Sequence, residues 1–343
     1  MSAARKKTRP APLREMTLAM ARVRRIDERM TLLQRQGRIG FHGAALGEEA
    51  AVIGSAAALD KDDWLVPALR QNGAMLLRGY PLLPFLAQSF GSALDPAHGR
   101  QMPCLPSGRS VNQVSWSSCI ANQAPHGVGI AFAMKQEGKG RVCMTYVGDG
   151  ATSEGDFHWA MTFAGVWKAP CVLICQNNQW AISVGVEKQT KQPEMWRKAN
   201  AYGFEGLRVD GNDVEAVYAA SAAAVAKARA GGGPTLLELF TYRVGAHSTS
   251  DDPNVYRDDE AGRRWFATHD PLPRALAACA REGVLAQSEV NDALSELDRE
   301  LEQVVKTIEA AGQPAHATLF TDVYATMPWN LVEQSQLAQA DRS

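Results

Sequence analysis

The sequence predicts an α/β fold: a central, mostly parallel sheet with helices on both faces and helical additions at both ends. Three observations carry that expectation. Residues 141–147 (RVCMTYV) and 171–176 (CVLICQ) are short, near-continuous apolar runs, the pattern of strands buried on both faces. A helix-length segment, 153–167, separates them, and the same alternation returns at 205–209, 213–230 and 235–240. The 343 residues are 45% hydrophobic and 21% charged, close to the globular average and enough for one large domain.

The remaining elements follow in chain order. Residues 14–36 form a charged amphipathic helix that ends at Gly37. Residues 47–59 (GEEAAVIGSAAAL) read as an Ala-rich helix, and 80–90 as a short one. The stretch 91–118 holds Gly91, Pro96, Gly99, Pro103, Pro106 and Gly108 and is expected to be irregular; such a run in a compact chain is usually functional or a partner contact. Residues 121–137 form a helix of small residues, which lets a neighbour come close. Ser153 is the expected N-cap of 153–167, with Asp156 completing a variant capping box. The helix 213–230 has Asp213 at its start and Gly231-Gly232-Gly233 beyond its end. Helices near 271–281 and 287–312 finish the chain. No repeat or low-complexity linker marks a boundary, so residues 11–343 are expected to be one domain. Residues 1–10, with Arg5, Lys6, Lys7 and Arg9, read as a disordered basic tail, because no apolar stretch follows them.

Several function classes are disfavoured. A net charge of −1 gives no field to gather nucleic acid or an anionic membrane. No apolar run approaches the roughly 18 residues of a membrane helix. None of the six cysteines forms a CxxC pair, and Cys143, Cys171 and Cys175 sit in the apolar runs. They read as reduced core thiols of a cytoplasmic protein; Cys171 and Cys175 lack the further ligands of a metal site.

The strand 141–147 runs directly into Gly148-Asp149-Gly150. In open α/β sheets, ligands bind beyond the carboxyl ends of strands, which is where Asp149 stands. The two glycines remove side chains where a diphosphate would approach the backbone, and the helix start near Ser153 offers N–H groups to an anion. One helix and one strand, a right-handed crossover, then bring Asn177-Asn178 back beside Asp149. A carboxylate, an amide oxygen and a backbone carbonyl are hard oxygen donors that suit magnesium, with diphosphate and water completing its shell. The plain alternative is a helix cap at Asp149 and a turn at Asn177-Asn178. Placement of each motif after its own apolar strand favours the metal and diphosphate.

This segment resembles the thiamine diphosphate motif. The chain from about residue 30 to 330 resembles the alpha subunit of the decarboxylating component of 2-oxoacid dehydrogenase complexes. The residues that carry this are GEEAAVIGSAAALDKDDW (47–64), GRQMP (99–103), TYRVGAHSTSDDPNVYR (241–257) and LFTDVYATMP (319–328). The HSTSDD form is most like the branched-chain (3-methyl-2-oxobutanoate) branch. The resemblance implies a thiamine diphosphate-binding fold, thiamine diphosphate with magnesium, oxidative decarboxylation of a branched-chain 2-oxoacid, and reductive acylation of a lipoyl group on a separate acyltransferase. It implies Asp149, Asn178 and the carbonyl of Trp180 as magnesium ligands. Arg70, Gly150, Ala151 and Gln176 would hold the diphosphate, with Ser118, Ile120 and Ala181 around the rest of the cofactor. Ser117, Asn122 and Gln123 would form a potassium site. His247, also near the cofactor, would be catalytic together with Ser118, with its pKa near the usual value of about 6.5. Ser248 stands at the position that kinases modify in some animal relatives and reads here as an N-cap or loop serine. Asp251-Asp252 are open to a reading as simple loop acids, and Arg257 to one as a surface charge or as a group around which the family's loop orders. The chain departs from the family pattern at Leu69 (usually Tyr), Gln176 (often Arg), Trp180 (often Tyr), Cys119 (Pro) and Asn122 (Thr). Leu69 and Gln176 bear on the substrate and on one phosphate contact. No Glu that would activate the aminopyrimidine is identifiable; the resemblance puts it on a beta subunit, in an alpha2-beta2 assembly with the cofactor at the interface. The rivals are a pyruvate or acetoin dehydrogenase alpha subunit and a non-catalytic cofactor-binding subunit.

Overall fold

The computed structural model describes residues 12–258, 260–321 and 323–340; the tail predicted at 1–10 lies outside them. Seven strands are present among the described residues: β1 Trp64–Val66, β2 Cys143–Gly148, β3 Cys171–Asn177, β4 Trp180–Ala181, β5 Val184–Gly185, β6 Glu205–Asp210 and β7 Thr235–Phe240. Five of them form one parallel sheet in the order β1-β2-β3-β7-β6, and β4 and β5 form a small antiparallel hairpin. The mostly parallel sheet predicted from the apolar runs is therefore present. The register sets Gly148 opposite Gln176 and Asn177 opposite Phe240, so β2, β3 and β7 release their loops at one edge.

Alternation along the strands divides the core into two layers. Cys143, Val147, Cys171, Leu173 and Cys175 pack against α5 (Gln123–Glu137) and α6 (Gly155–Trp167). Met144, Tyr146, Val172 and Ile174 face α2 (Glu49–Ala56) and α8 (Val214–Arg229). The small residues of α5 serve this packing: a Cβ on Gly127 would stand 1.8 Å from Thr145 Oγ1 on β2. The helical additions form further layers. Helix α1 (Leu13–Arg35) packs on α10 (Pro271–Glu282), and with α4 (Leu82–Phe90) and α11 (Gln287–Ala311) it shares Met30, Leu33, Leu86, Leu297 and Leu301. Among the described residues, no helix is long and apolar enough to cross a membrane.

Asp213 caps α8 as expected, accepting from the amides of Glu215 and Ala216 at 3.0 Å. The cap predicted at Ser153 is not formed. Residues Gly150–Ser153 make a separate 3-10 turn, and Glu154 precedes α6 in an extended conformation with no side-chain cap. The turn consumes the residues that the helix was expected to use. The sequence pattern also omitted β1, the β4–β5 hairpin, α3 (Asn72–Leu77), α7 (Val186–Gln189), a 3-10 helix at Met195–Tyr202, α9 (Glu260–His269), α12 (Thr318–Thr321) and α13 (Trp329–Ala340). The strands and the shortest helices span too few residues to show a period.

Candidate active site

A carboxylate that sequence reasoning missed organises the edge where β2, β3 and β7 end. Glu48, the residue before α2, is fully buried. It accepts from Gln176 Nε2 at 2.5 Å and from Asn178 Nδ2 at 3.1 Å, and it pairs with Arg70 Nε at 3.3 Å. Gln71 donates to Gln176 Oε1 at 2.8 Å, so both ends of the Gln176 amide are engaged within the protein. Asn178, held to Glu48 by its nitrogen, turns its oxygen toward the Trp180 amide, 3.2 Å away. Asn177 has a different role: it donates to Glu238 on β7 at 2.7 Å and accepts from Gln179 N, fixing the turn. Of the two asparagines, Asn178 is the one aimed into the site.

Asp149 ends β2 and is nearly fully buried. Burial pushes its carboxyl up to about 6; Glu48 adds to the rise, while Gln189, donating to Oδ2 at 3.3 Å, and the charge of Arg243 oppose it. The two flanking glycines differ. A Cβ on Gly148 would meet open space, as expected where a ligand approaches. A Cβ on Gly150 would stand 2.5 Å from the Ala181 Cβ, so Gly150 is required by the β4–β5 hairpin itself. Ala151 follows in the 3-10 turn.

The loop after β7 completes the other wall. Arg70 donates to the carbonyls of Ala44 and His247, the latter at 2.9 Å. Arg243 is 1% exposed. Its Nη2 donates to Ile182 O at 2.6 Å and to the Tyr256 hydroxyl at 2.7 Å. Its Nε and Nη1 are buried with no partner among the described residues. Asp251 accepts from the His247 amide at 2.7 Å and from Tyr256 Oη at 2.6 Å, so it braces the histidine rather than serving as a plain loop acid. Asp252 caps the turn Pro253–Val255. Arg257 is not a surface charge: it is buried and clamps the carbonyls of Arg243, Val244 and Gly245 at 2.7–2.9 Å. Ser248 Oγ accepts from Ser250 N at 3.3 Å, a loop contact as expected.

The pKa expected for His247 is corrected. Burial, then the charges of Arg70 and Arg243, lower it to about 4 against a smaller pull from Asp251. At neutral pH the imidazole is uncharged. It offers a hydrogen bond and not a cation.

Near the start of α5, Asn122 Nδ2 donates to Ser117 Oγ at 3.1 Å. Asn122 Oδ1 and Gln123 Oε1 are buried acceptors without a partner among the described residues. Two unfilled amide oxygens beside a hydroxyl are neutral oxygen donors that could hold a small cation. Ser118 and Ile120 are not drawn into the Asp149 cluster: both are exposed, Ile120 at 55%. Leu69, the departure from the expected Tyr, is buried against Gly43, where a Cβ would come within 2.6 Å of it. Sequence reasoning brought together Arg70, Asp149, Gln176, Asn178, Trp180, Ala181 and His247 and missed Glu48 and Arg243. The only signal for Glu48 was a second acid ahead of an apolar helix, and for Arg243 a charge set between a strand and the His247 loop.

A family model described as "Dehydrogenase E1 component" matches residues 17–317. The 2-oxoisovalerate dehydrogenase subunit alpha 1, mitochondrial, of Arabidopsis thaliana is 40% identical over 315 residues, 92% of this chain and 67% of that one. The 3-methyl-2-oxobutanoate dehydrogenase subunit alpha of Mycobacterium tuberculosis is 39% identical over 329 residues, 96% of this chain and 87% of that one. The pyruvate dehydrogenase E1 component subunit alpha of Bacillus subtilis is 37% identical over 326 residues, 95% and 85% of the two chains. The chain thus spans about two thirds of the plant relative and most of the bacterial ones.

Proposed function

The chain belongs to the dehydrogenase E1 component family, and from that premise we propose that it is the alpha subunit of a thiamine diphosphate-dependent branched-chain 2-oxoacid dehydrogenase. The observation that carries this is a buried mismatch of charge. Arg243 keeps two guanidinium nitrogens unpartnered, while no cation among the described residues contacts the buried carboxyl of Asp149. An unpaired buried charge is costly, and a magnesium–diphosphate pair would relieve both, with Asp149 holding the cation and Arg243 and Arg70 the phosphate charge. The residues therefore fit the cofactor that the family uses.

Asp149, Asn178 Oδ1 and the Trp180 carbonyl would hold the magnesium, with Glu48 fixing the Asn178 amide. Arg70 and Arg243 would face the diphosphate, with Gly150, Ala151 and Gln176 along it. Arg243 supplies a charge that Gln176, as a neutral amide, does not. Thiamine diphosphate, when bound, supplies carbanion chemistry and an electron sink for loss of carbon dioxide. The chain's own residues bind and orient. The neutral His247 ring holds or receives a proton during acyl transfer to the lipoyl group and offers a hydrogen bond to the 2-oxoacid carboxylate. A diphosphate held by Arg70 and Arg243 would offset their repulsion of the imidazolium and so raise the His247 pKa.

Ser118, Ile120 and Ala181 would line the rest of the cofactor, with Ser118 beside the reacting atoms. The exposure of Ser118 and Ile120 supports a site closed by another chain, the beta subunit of an alpha2-beta2 assembly, which would bring the activating Glu. The lipoyl acyltransferase is the next partner. Potassium would occupy Ser117, Asn122 and Gln123. Six unpaired cysteines support a reducing compartment such as the cytoplasm.

The test is His247→Ala in the chain assembled with its beta partner. Thiamine diphosphate should still bind, and acylation of a lipoyl domain should be lost; normal acylation would remove His247 from the mechanism. Turnover of 3-methyl-2-oxobutanoate against pyruvate separates the substrate readings: robust pyruvate turnover with none of the branched acid would overturn the one proposed.

A further inference from the structure

Behind the His247 loop lies a buried cluster that this function does not use. Asp27 on α1, His42 and Cys104 are 6%, 1% and 4% exposed. Asp27 Oδ1 stands 2.8 Å from His42 Nε2, and its other oxygen accepts from the Ala45 amide at 2.7 Å. His42 Nδ1 faces Cys104 Sγ at 3.8 Å, and the Asn72 amide donates to the same sulfur at 3.2 Å. The carboxylate fixes one ring proton at Nε2. The sulfur receives the Asn72 N–H and faces the other ring nitrogen, which is the setting of an imidazolium–thiolate pair. We propose that Cys104 is a thiolate modification site for small hydroperoxides, read by the loop that carries His247.

The contrast with the other cysteines supports the choice. Cys143 is also fully buried, but without a cationic partner, and burial pushes its thiol up to about 12. Burial likewise raises Cys171 and Cys175. At Cys104 burial acts in the same direction, yet the hydrogen bond and charge of His42 together with the hydrogen bonds from the Gly43 amide and Asn72 outweigh it, and the thiol is lowered. Burial also disfavours charge on His42, while Asp27 and Cys104 hold its pKa at about 10.

The coupling to the site is through backbone. His42 N donates to Thr249 Oγ1 at 2.9 Å, and Thr249 N donates to His42 O at 2.9 Å. Thr249 lies two residues beyond His247. Oxidation proceeds by attack of the thiolate on one peroxide oxygen. An S–O bond forms and the O–O bond breaks; sulfur is oxidised by two electrons to a sulfenic acid. The departing hydroxide takes the Nδ1 proton of His42 and leaves as water. The pair is discharged and the buried sulfur is enlarged by an oxygen, which shifts His42 and with it the two hydrogen bonds to Thr249. Hydrogen peroxide, little larger than water, is the oxidant that suits so closed a place, entering by opening of the irregular 91–118 stretch.

The experiment exposes the folded full chain to hydrogen peroxide for timed intervals, removes the excess with catalase, unfolds the chain in dimedone so that every sulfenic acid is reachable, and follows each cysteine by peptide mass spectrometry. Cys104 should be labelled at least about tenfold faster than the exposed Cys119, and His42→Gln should remove that advantage while leaving Cys119 unchanged. Faster labelling of Cys119 in the unsubstituted protein overturns the proposal even if the variant fails to fold, and so does undiminished labelling of Cys104 in His42→Gln. Hydrogen exchange gives the second readout: amides 247–252 should lose protection on oxidation, but not in Cys104→Ser treated alike. Unchanged protection in the oxidised chain overturns the coupling.

Discussion

Glu48→Gln tests the least expected part of the site. The substitution keeps the side chain's shape and removes its charge. In the native chain the carboxylate meets Gln176 at 2.5 Å, Asn178 at 3.1 Å and Arg70 at 3.3 Å, all out of solvent. A glutamine presents one acceptor oxygen in place of two and turns an amide N–H toward a donor. Breaking a buried ion pair by removing one partner costs about 3–5 kcal/mol. Unfolding entropy of roughly 2.1 cal/mol/K per residue amounts to about 0.7 kcal/mol/K over a chain this long, so Tm should fall by about 4–7 °C. The same change releases the Asn178 amide, and loss of such an outer partner typically weakens metal binding about 10–100-fold. Scanning calorimetry measures the first effect, and titration of thiamine diphosphate with magnesium into the alpha–beta assembly measures the second. A Tm within a degree of the native value together with unchanged cofactor affinity would refute the role of Glu48.

Further outcomes follow from the same geometry. Because the His247 pKa lies at about 4 in the fold, below about 6.5 when unfolded, the unfolded cofactor-free chain binds the extra proton between those values. Stability therefore falls as pH drops through that window. His247→Asn should remove this slope, so its urea midpoint gains on the native chain between pH 7 and 5; a constant difference contradicts the lowered pKa. Gly150→Ala places a Cβ 2.5 Å from Ala181 and should cost about 1–3 kcal/mol by overpacking, read as a lower Tm; an unchanged Tm shows that the hairpin yields. Arg243→Met removes a charge with no carboxylate partner in contact, so the cofactor-free chain should keep its Tm while thiamine diphosphate binding weakens at least about tenfold, or 1.4 kcal/mol; unchanged affinity shows that Arg243 does not meet the diphosphate. Asn122→Leu with Gln123→Leu should abolish any stabilisation by potassium over sodium, and a persisting potassium effect would move that site elsewhere.

What the sequence made legible is what repeats locally. Apolar strands at 141–147 and 171–176 and the capped helix after Asp213 were visible because their signals lie within a dozen residues. So was the return of Asn177-Asn178 to the edge that carries Asp149, since one crossover sets Gly148 opposite Gln176. Glu48 was not visible, because its meaning depends on Gln176 and Asn178, which lie in another part of the chain. The lowered pKa of His247 was not visible for the same reason: it is set by burial and then by the charges of Arg70 and Arg243, which the sequence does not place beside it. The role of Arg257 stayed open in the sequence because nothing local shows three carbonyls converging on it. Ser153 satisfied a capping pattern, but the 3-10 turn that Asp149 opens took precedence.

The central claim is that this chain provides the magnesium and diphosphate half of a two-chain decarboxylase. Release of carbon dioxide from 3-methyl-2-oxobutanoate, measured with thiamine diphosphate and magnesium for this chain, for the beta chain and for their mixture, tests it most directly. Release from the mixture alone, and its loss when the mixture carries Asp149→Ala, is the predicted result. Equal release by this chain without a partner, or undiminished release with Asp149→Ala, would contradict it.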